Sequence, residues 1–174
     1  MPRPVGVESD DELLCIRVSC ASNEQQAVDY EAQIKERLCE QLPEGLELLS
    51  VSVTKAGRSF LPGSAIYVLP VRPEYVTSDL KTRIKYILAS ESLSIERKTG
   101  PENSKFKTLD VRGFLKSIEL EDGCIIVQYK ISPAGSIRVE EILQLLELDV
   151  AKLSAPIRRT SVQWNSNCQV AIEY

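Results

Sequence analysis

The stretch KSIELEDGCIIVQYKIS (residues 116–132) holds two alternating runs on either side of Asp122-Gly123. An Asp-Gly pair in that position signals a tight hairpin, because both central residues of a type I′ turn need positive φ. In the second run Val127, Tyr129 and Ile131 share one face, while Gln128 and Lys130 share the other, as side chains two apart on a strand do. The stretch therefore predicts an antiparallel hairpin with one face on a core. Working outward, residues 65–71 read as a strand, and Val76, Leu80, Ile84, Ile87 and Leu88 as the buried stripe of a helix. Residues 93–98 read as a second strand, and TGPENSK as the turn into a short strand at 106–109. Beyond the hairpin, Ser136 is the expected cap of a helix carrying Val139, Ile142, Leu143 and Leu146. Residues 157–164 form a last strand, and the terminal CQVAIEY alternates weakly, as an extra edge strand would. Strand, helix, strand, inserted hairpin, strand, helix, strand is the order of an α+β, ferredoxin-like (split βαβ) domain.

The part before residue 58 reads as half of a similar unit. Residues 13–18 form a strand-like run, followed by a helix with Ala27, Tyr30, Ile34, Leu38 and Leu42 as its stripe. Asn23 and Gln26 have capping-box spacing, and Pro43 and Gly45 end the helix. Residues 46–53 then read as a strand with both faces partly covered. AGRSFLPGS (residues 56–64) is the best linker, so the expected organisation is a strand-helix-strand half-domain at 1–57 and a ferredoxin-like domain at 58–174. Two parallel strands joined by one helix leave a slot between them that another strand must fill. A homodimer pairing through this half would fill it, as would residues 65–71 folding back.

Composition narrows the chemistry. The chain has no histidine, which removes the commonest general base and metal ligand. Its five cysteines are scattered, with no paired or clustered spacing, as reduced cytoplasmic thiols would be. No Gly-rich phosphate loop is present. The expectation is a protein with no cofactor, no metal and no catalytic activity of its own. There is no apolar run of membrane-spanning length, so no membrane partner is expected. Charge is uneven. Residues 72–116 carry ten basic and six acidic side chains, between two acidic flanks. A basic middle can dock a polyanion such as RNA, or simply solvate a helix and two strands.

Four short motifs follow the opening PVGVESDDELLCIRV in order: LPEGLELLSV, LDVRGFLKSIEL, GSIRVEEIL and RRTSV. This ordered set, spanning residues 4–162, resembles the radical-SAM-linked domain family. That bacterial domain of unknown function occurs at the C-terminus of radical SAM proteins and as a separate protein. The resemblance implies a radical SAM protein or domain as partner, with this chain as a non-catalytic accessory module that presents its substrate. Family members carry a further N-terminal strand and helix leading into a His-bearing loop, so the chain looks like the later part of a larger domain or a shortened relative. It also has Val139 and Gly113 where the family pattern favours proline.

The side chains that stand out for binding a substrate or anion are Asp110, Arg112, Arg138 and Arg159. Three planar guanidinium groups suit phosphate or carboxylate. The structural alternative is that Asp110 pairs with Arg112 or Arg138 and pins the inserted hairpin to the last helix. Arg58 and Arg72 are weaker candidates of the same kind. Trp164 and Tyr129 could stack on a base, or pack in the core.

Overall fold

The computed structural model describes residues 6–16, 25–54, 58–99 and 105–168. Two compact units emerge. One gathers described residues within 1–13 and 61–165, the other those within 14–60 and 166–174.

In the first unit the main sheet has the order β1-β8-β2-β6-β5. Its strands are β1 (Val7–Ser9), β2 (Arg58–Pro70), β5 (Leu115–Glu121), β6 (Cys124–Ser132) and β8 (Ile157–Cys168). A two-residue strand, β7 (Gly135–Ser136), folds back on β6. Two helices, α2 (Ser78–Ala89) and α3 (Val139–Leu145), follow β2 and β7. Leaving out β1 and β7, the order β8-β2-β6-β5 sets the four main strands as the split βαβ arrangement does. The fold is α+β, with a multi-stranded sheet.

The Asp-Gly hairpin forms as its chemistry dictates. Asp122 has φ 47° and Gly123 φ 78°, and β5 and β6 pair antiparallel from Glu121↔Cys124 outward. Val127 and Tyr129 are buried and Ile131 half-buried, while Gln128 is half-buried and Lys130 exposed. Ala65, Tyr67 and Leu69 of β2 join Ile125, Val127 and Tyr129 of β6 in one core with Leu80, Ile84 and Ile87 of α2 and Val139, Ile142 and Leu143 of α3. Thr77 caps α2, its hydroxyl accepting the Leu80 N–H at 3.2 Å. An alanine at Gly123 would meet only ordinary contact with the Val71 carbonyl, 3.9 Å away. Its cost is then purely conformational: Gly123→Ala should destabilise the fold by about 1–2 kcal/mol, read as a lower urea midpoint.

Three expectations need correction. Residues 93–98 do form a strand, β3 (Ser94–Thr99), but it pairs only with β4 (Lys105–Asp110) in a separate two-stranded ribbon. The second strand of the split βαβ unit is β5 instead. Ser136 lies buried in β7, and Arg138 holds the N-cap position of α3. The proposed linker is largely strand, since β2 already runs from Arg58.

The second unit corrects the opening half-domain. It has a helix, α1 (Gln25–Cys39), but residues 13–16 and 46–53 are not strands. The backbone of 46–54 is instead held to the helix by side chains. Lys35 Nζ donates to the Leu49 carbonyl at 3.3 Å, and Glu31 Oε1 accepts from the Val53 N–H at 2.7 Å. With no parallel strand pair there, the slot that dimer pairing would fill does not exist among the described residues. Tyr30, Leu46, Leu49 and Val53 are exposed. The Asn23 cap, the TGPENSK turn beyond Thr99 and the strand after Cys168 lie outside the described residues. Among described residues no helix is long and apolar enough to cross a membrane.

Candidate functional site

The four arginine and aspartate candidates do not converge. Asp110 ends β4, and its Oδ1 accepts backbone N–H groups of Leu93 at 2.9 Å and Arg112 at 3.0 Å. Among the described residues it makes no ion pair with Arg112 or Arg138, so the expected salt bridge is absent. The carboxylate closes the base of the ribbon, where Val111 N–H also donates to the Leu93 carbonyl at 2.9 Å. Hydrogen bonds from the Leu93 and then the Arg112 amides hold the Asp110 pKa below its usual value. A depressed folded-state pKa contributes stability above the unfolded value, lost as pH falls through the folded one. Asp110→Asn should therefore lower stability at neutral and alkaline pH, with the difference from the unaltered chain shrinking as pH falls through the acid limb. Urea midpoints across an acid-to-neutral pH series check this.

Arg112 is spent on the fold. Its Nε donates to the Ser90 carbonyl at 2.8 Å, Nη2 to Leu88 at 3.0 Å and Nη1 to Leu115 at 3.1 Å. Leu88 and Ser90 lie at the C-terminus of α2, where orphan carbonyls and the helix dipole favour a cation. The same use recurs. Arg83 Nε donates to Leu145 at the end of α3, at 2.7 Å, and Arg72 Nε to the Leu153 carbonyl at 3.0 Å. A shallow groove by α2, lined by Asp79, Thr82, Arg83, Tyr86 and Glu147, has its guanidinium already paired to Glu147 at 3.3 Å.

The pin between ribbon and last helix exists, but between residues that the sequence did not single out. Arg97 of β3 makes a two-pronged pair with Glu141 of α3, Nε to Oε1 at 2.7 Å and Nη2 to Oε2 at 2.8 Å. Arg97 Nη2 also donates to the Ser136 carbonyl, and Arg138 N–H to Glu141 Oε2 at 2.7 Å. Glu141 is buried. Its bond to the Arg138 amide three residues back is half of a capping box. That spacing, GSIRVEE, is the one local signal that could have found it.

Arg159 is the most buried charged candidate, 3% exposed. It lies on β8 beside the opening segment. β1 runs parallel to β8 in register Val7↔Ile157 to Ser9↔Arg159, and residues 10–12 continue along the edge. Arg159 Nε donates to Ser9 Oγ at 3.1 Å and Nη2 to the Asp11 carbonyl at 3.4 Å, and Nη2 pairs with the Glu12 carboxylate. Arg158 binds Asp10 Oδ1 with Nε at 2.9 Å and Nη2 at 2.6 Å. Asp11 accepts the Val162 N–H at 2.7 Å and the Trp164 indole N–H at 2.9 Å. The acidic run in VESDDE is thus a strap on β8. Trp164 is half-buried there, whereas Tyr129 belongs to the core, its ring stacked on Tyr67 at 5.5 Å.

A family model described as an uncharacterized protein conserved in bacteria (DUF2344) matches residues 1–145, from the strap through α3. The chain belongs to this family. No curated protein and no solved structure matches the chain. The DUF2344 match takes in Asp110, Arg112 and Arg138, while Arg159 and the rest of β8 lie beyond it. Among the described residues no group of three or more His, Cys, Asp or Glu could hold a metal ion. Cys15, Cys39 and Cys124 are free thiols.

Proposed function

We propose that the chain is a non-catalytic accessory module that works with a radical SAM protein and holds that enzyme's substrate, with RNA as the substrate class. The partner follows from the ordered motifs that resemble radical-SAM-linked domains. One structural observation supports the substrate class. In the basic segment 72–116 the arginines Arg72, Arg83, Arg97 and Arg112 are bonded to the protein's own carbonyls and carboxylates. Lys81, Lys85, Lys98, Lys107 and Lys116 face solvent. A lysine-bearing surface offers point charges to a phosphate backbone and carries no base readout. Binding should then be sequence-tolerant and steeply salt-dependent. A filter-binding titration with bulk RNA over a salt series tests this. Affinity should fall by about a factor of ten or more between low and physiological salt. Salt-independent binding, or none at low salt, would rule RNA out.

A protein-interaction domain without a nucleic-acid role is the second reading, favoured by the exposed Tyr30, Leu46, Leu49 and Val53. The sheet edges give it less support. β1 is three residues long, and β5 carries exposed Lys116, Glu119 and Glu121, devices that discourage edge pairing. No RNA binding at low salt, together with co-purification of a protein partner that survives nuclease treatment, would favour this reading.

A further inference from the structure

We propose that the edge of β8 formed by Arg158, Arg159, the Val162 N–H and the Trp164 indole is a binding site for the phosphodiester backbone of single-stranded RNA. Residues 10–12 occupy it as a built-in competitor. The site rests on the RNA reading above and adds a specific contact to it.

Each of the four groups is a hydrogen-bond donor suited to a phosphate oxygen, and each is bonded to an oxygen of the strap, Arg159 through the Asp11 carbonyl and the Glu12 carboxylate. The Arg159 side chain is only 4% exposed, a state a guanidinium tolerates only when paired. Among the described residues all of its hydrogen bonds and its ion pair go to Ser9, Asp11 and Glu12. The strap therefore brings three successive carboxylates, Asp10, Asp11 and Glu12, to this edge. β1 pairs only Ile157 to Arg159, so the Val162 N–H is taken by a carboxylate. The half-buried Trp164 ring adds a face on which a base can stack.

The strap is also built to lift from one end. Val7 is 6% exposed and belongs to the core, which anchors β1. Residues 11–16 have no regular structure, and Leu14 is 81% exposed. The Asp10–Arg158 pair is solvent-exposed, with side chains 40% and 55% accessible, and such pairs contribute little. A polyanion offering several phosphates can displace residues 10–12 while β1 stays paired.

The test is fluorescence anisotropy with a short fluorescein-labelled oligouridylate at fixed salt. The strap variant Asp10→Asn/Asp11→Asn/Glu12→Gln is compared with the control Glu74→Gln/Glu119→Gln/Glu121→Gln, which makes the same change in net charge. The strap variant should bind about tenfold tighter than the unaltered chain, the control by about twofold at most. Adding Arg158→Gln to the strap variant should remove most of the gain. Hydrogen exchange on the unaltered chain needs no variant to fold. Saturating oligouridylate should speed exchange of the Asp10 N–H, which now donates to the Arg159 carbonyl at 2.9 Å. A strap variant no tighter than its control, with Asp10 exchange unchanged by RNA, would overturn the site while leaving lysine-based binding in place. No binding by any form would overturn both.

Discussion

Glu141→Gln should lower the unfolding free energy by about 3 kcal/mol, the order expected when one partner of a buried ion pair is removed. The Arg97 guanidinium would keep its bond to the Ser136 carbonyl and lose both charge-assisted bonds to the carboxylate. Its side chain is 17% exposed and that of Glu141 9%, so water can replace little of what is lost. Arg97→Met alone should cost a similar amount, leaving a buried carboxylate with only the Arg138 amide. The pair replaced together, Arg97→Met/Glu141→Leu, should recover most of the loss, because an apolar couple avoids desolvating two charges. Urea melts of the four proteins decide it. If the two single changes together cost no more than about 1 kcal/mol, the pair behaves as a surface bridge, and the ribbon is held by its apolar residues.

The second large effect lies at Tyr129. Tyr129→Ala should cost about 3–5 kcal/mol through the cavity it opens, since Tyr129 and Tyr67 are each 2% exposed and stack at an interplanar angle of 29°. Tyr129→Phe isolates the hydroxyl. Burial, and then the hydrogen bond with Tyr67, push the Tyr129 pKa well above the usual phenol value. The phenol stays neutral and hydrogen-bonded in the core. Losing it should cost about 1–2 kcal/mol, the penalty for leaving a buried partner unsatisfied. A Phe variant as weak as the Ala variant would show that the hydroxyl, and not the ring, carries the site.

These two sites mark what the sequence makes legible. The alternation that puts Val127 and Tyr129 on a core face is local, and so is the Asp-Gly turn. Both follow from neighbouring residues alone, and both are in the structure. Pairing is not local. Residues 93–98 and 116–121 each read as strands, and period-two alternation tells a strand from a helix without naming its neighbour. So the sequence reading gave the split βαβ unit the wrong second strand. Residues 46–53 misled for a different reason. Their apolar side chains fall on both phases, Leu46 and Leu48 against Leu49, Val51 and Val53, which fits a covered strand and an irregular segment equally well. Glu31 and Lys35 then satisfy two of its backbone groups without a ladder. Among site residues, Arg159 stood out as a planar guanidinium suited to phosphate or carboxylate. Its partners are nearly the whole chain away, and no spacing connects them. Arg97 and Glu141, 44 residues apart, have no spacing to connect them either.

The β3–β4 ribbon leaves the chain and returns at nearly one point, where Leu93 meets Val111 and Asp110. Everything between could lengthen, shorten or change sequence without altering the register of β5 on β6, because none of its described residues pairs with the main sheet. Among the described residues, only Arg97 ties the interior of the excursion to the rest of the domain by an ion pair. For a lineage, this is a place where novelty can accumulate while the scaffold stays fixed. Relatives of this chain should diverge most in the length and tip of the ribbon. They should vary least at its two feet, and there only together.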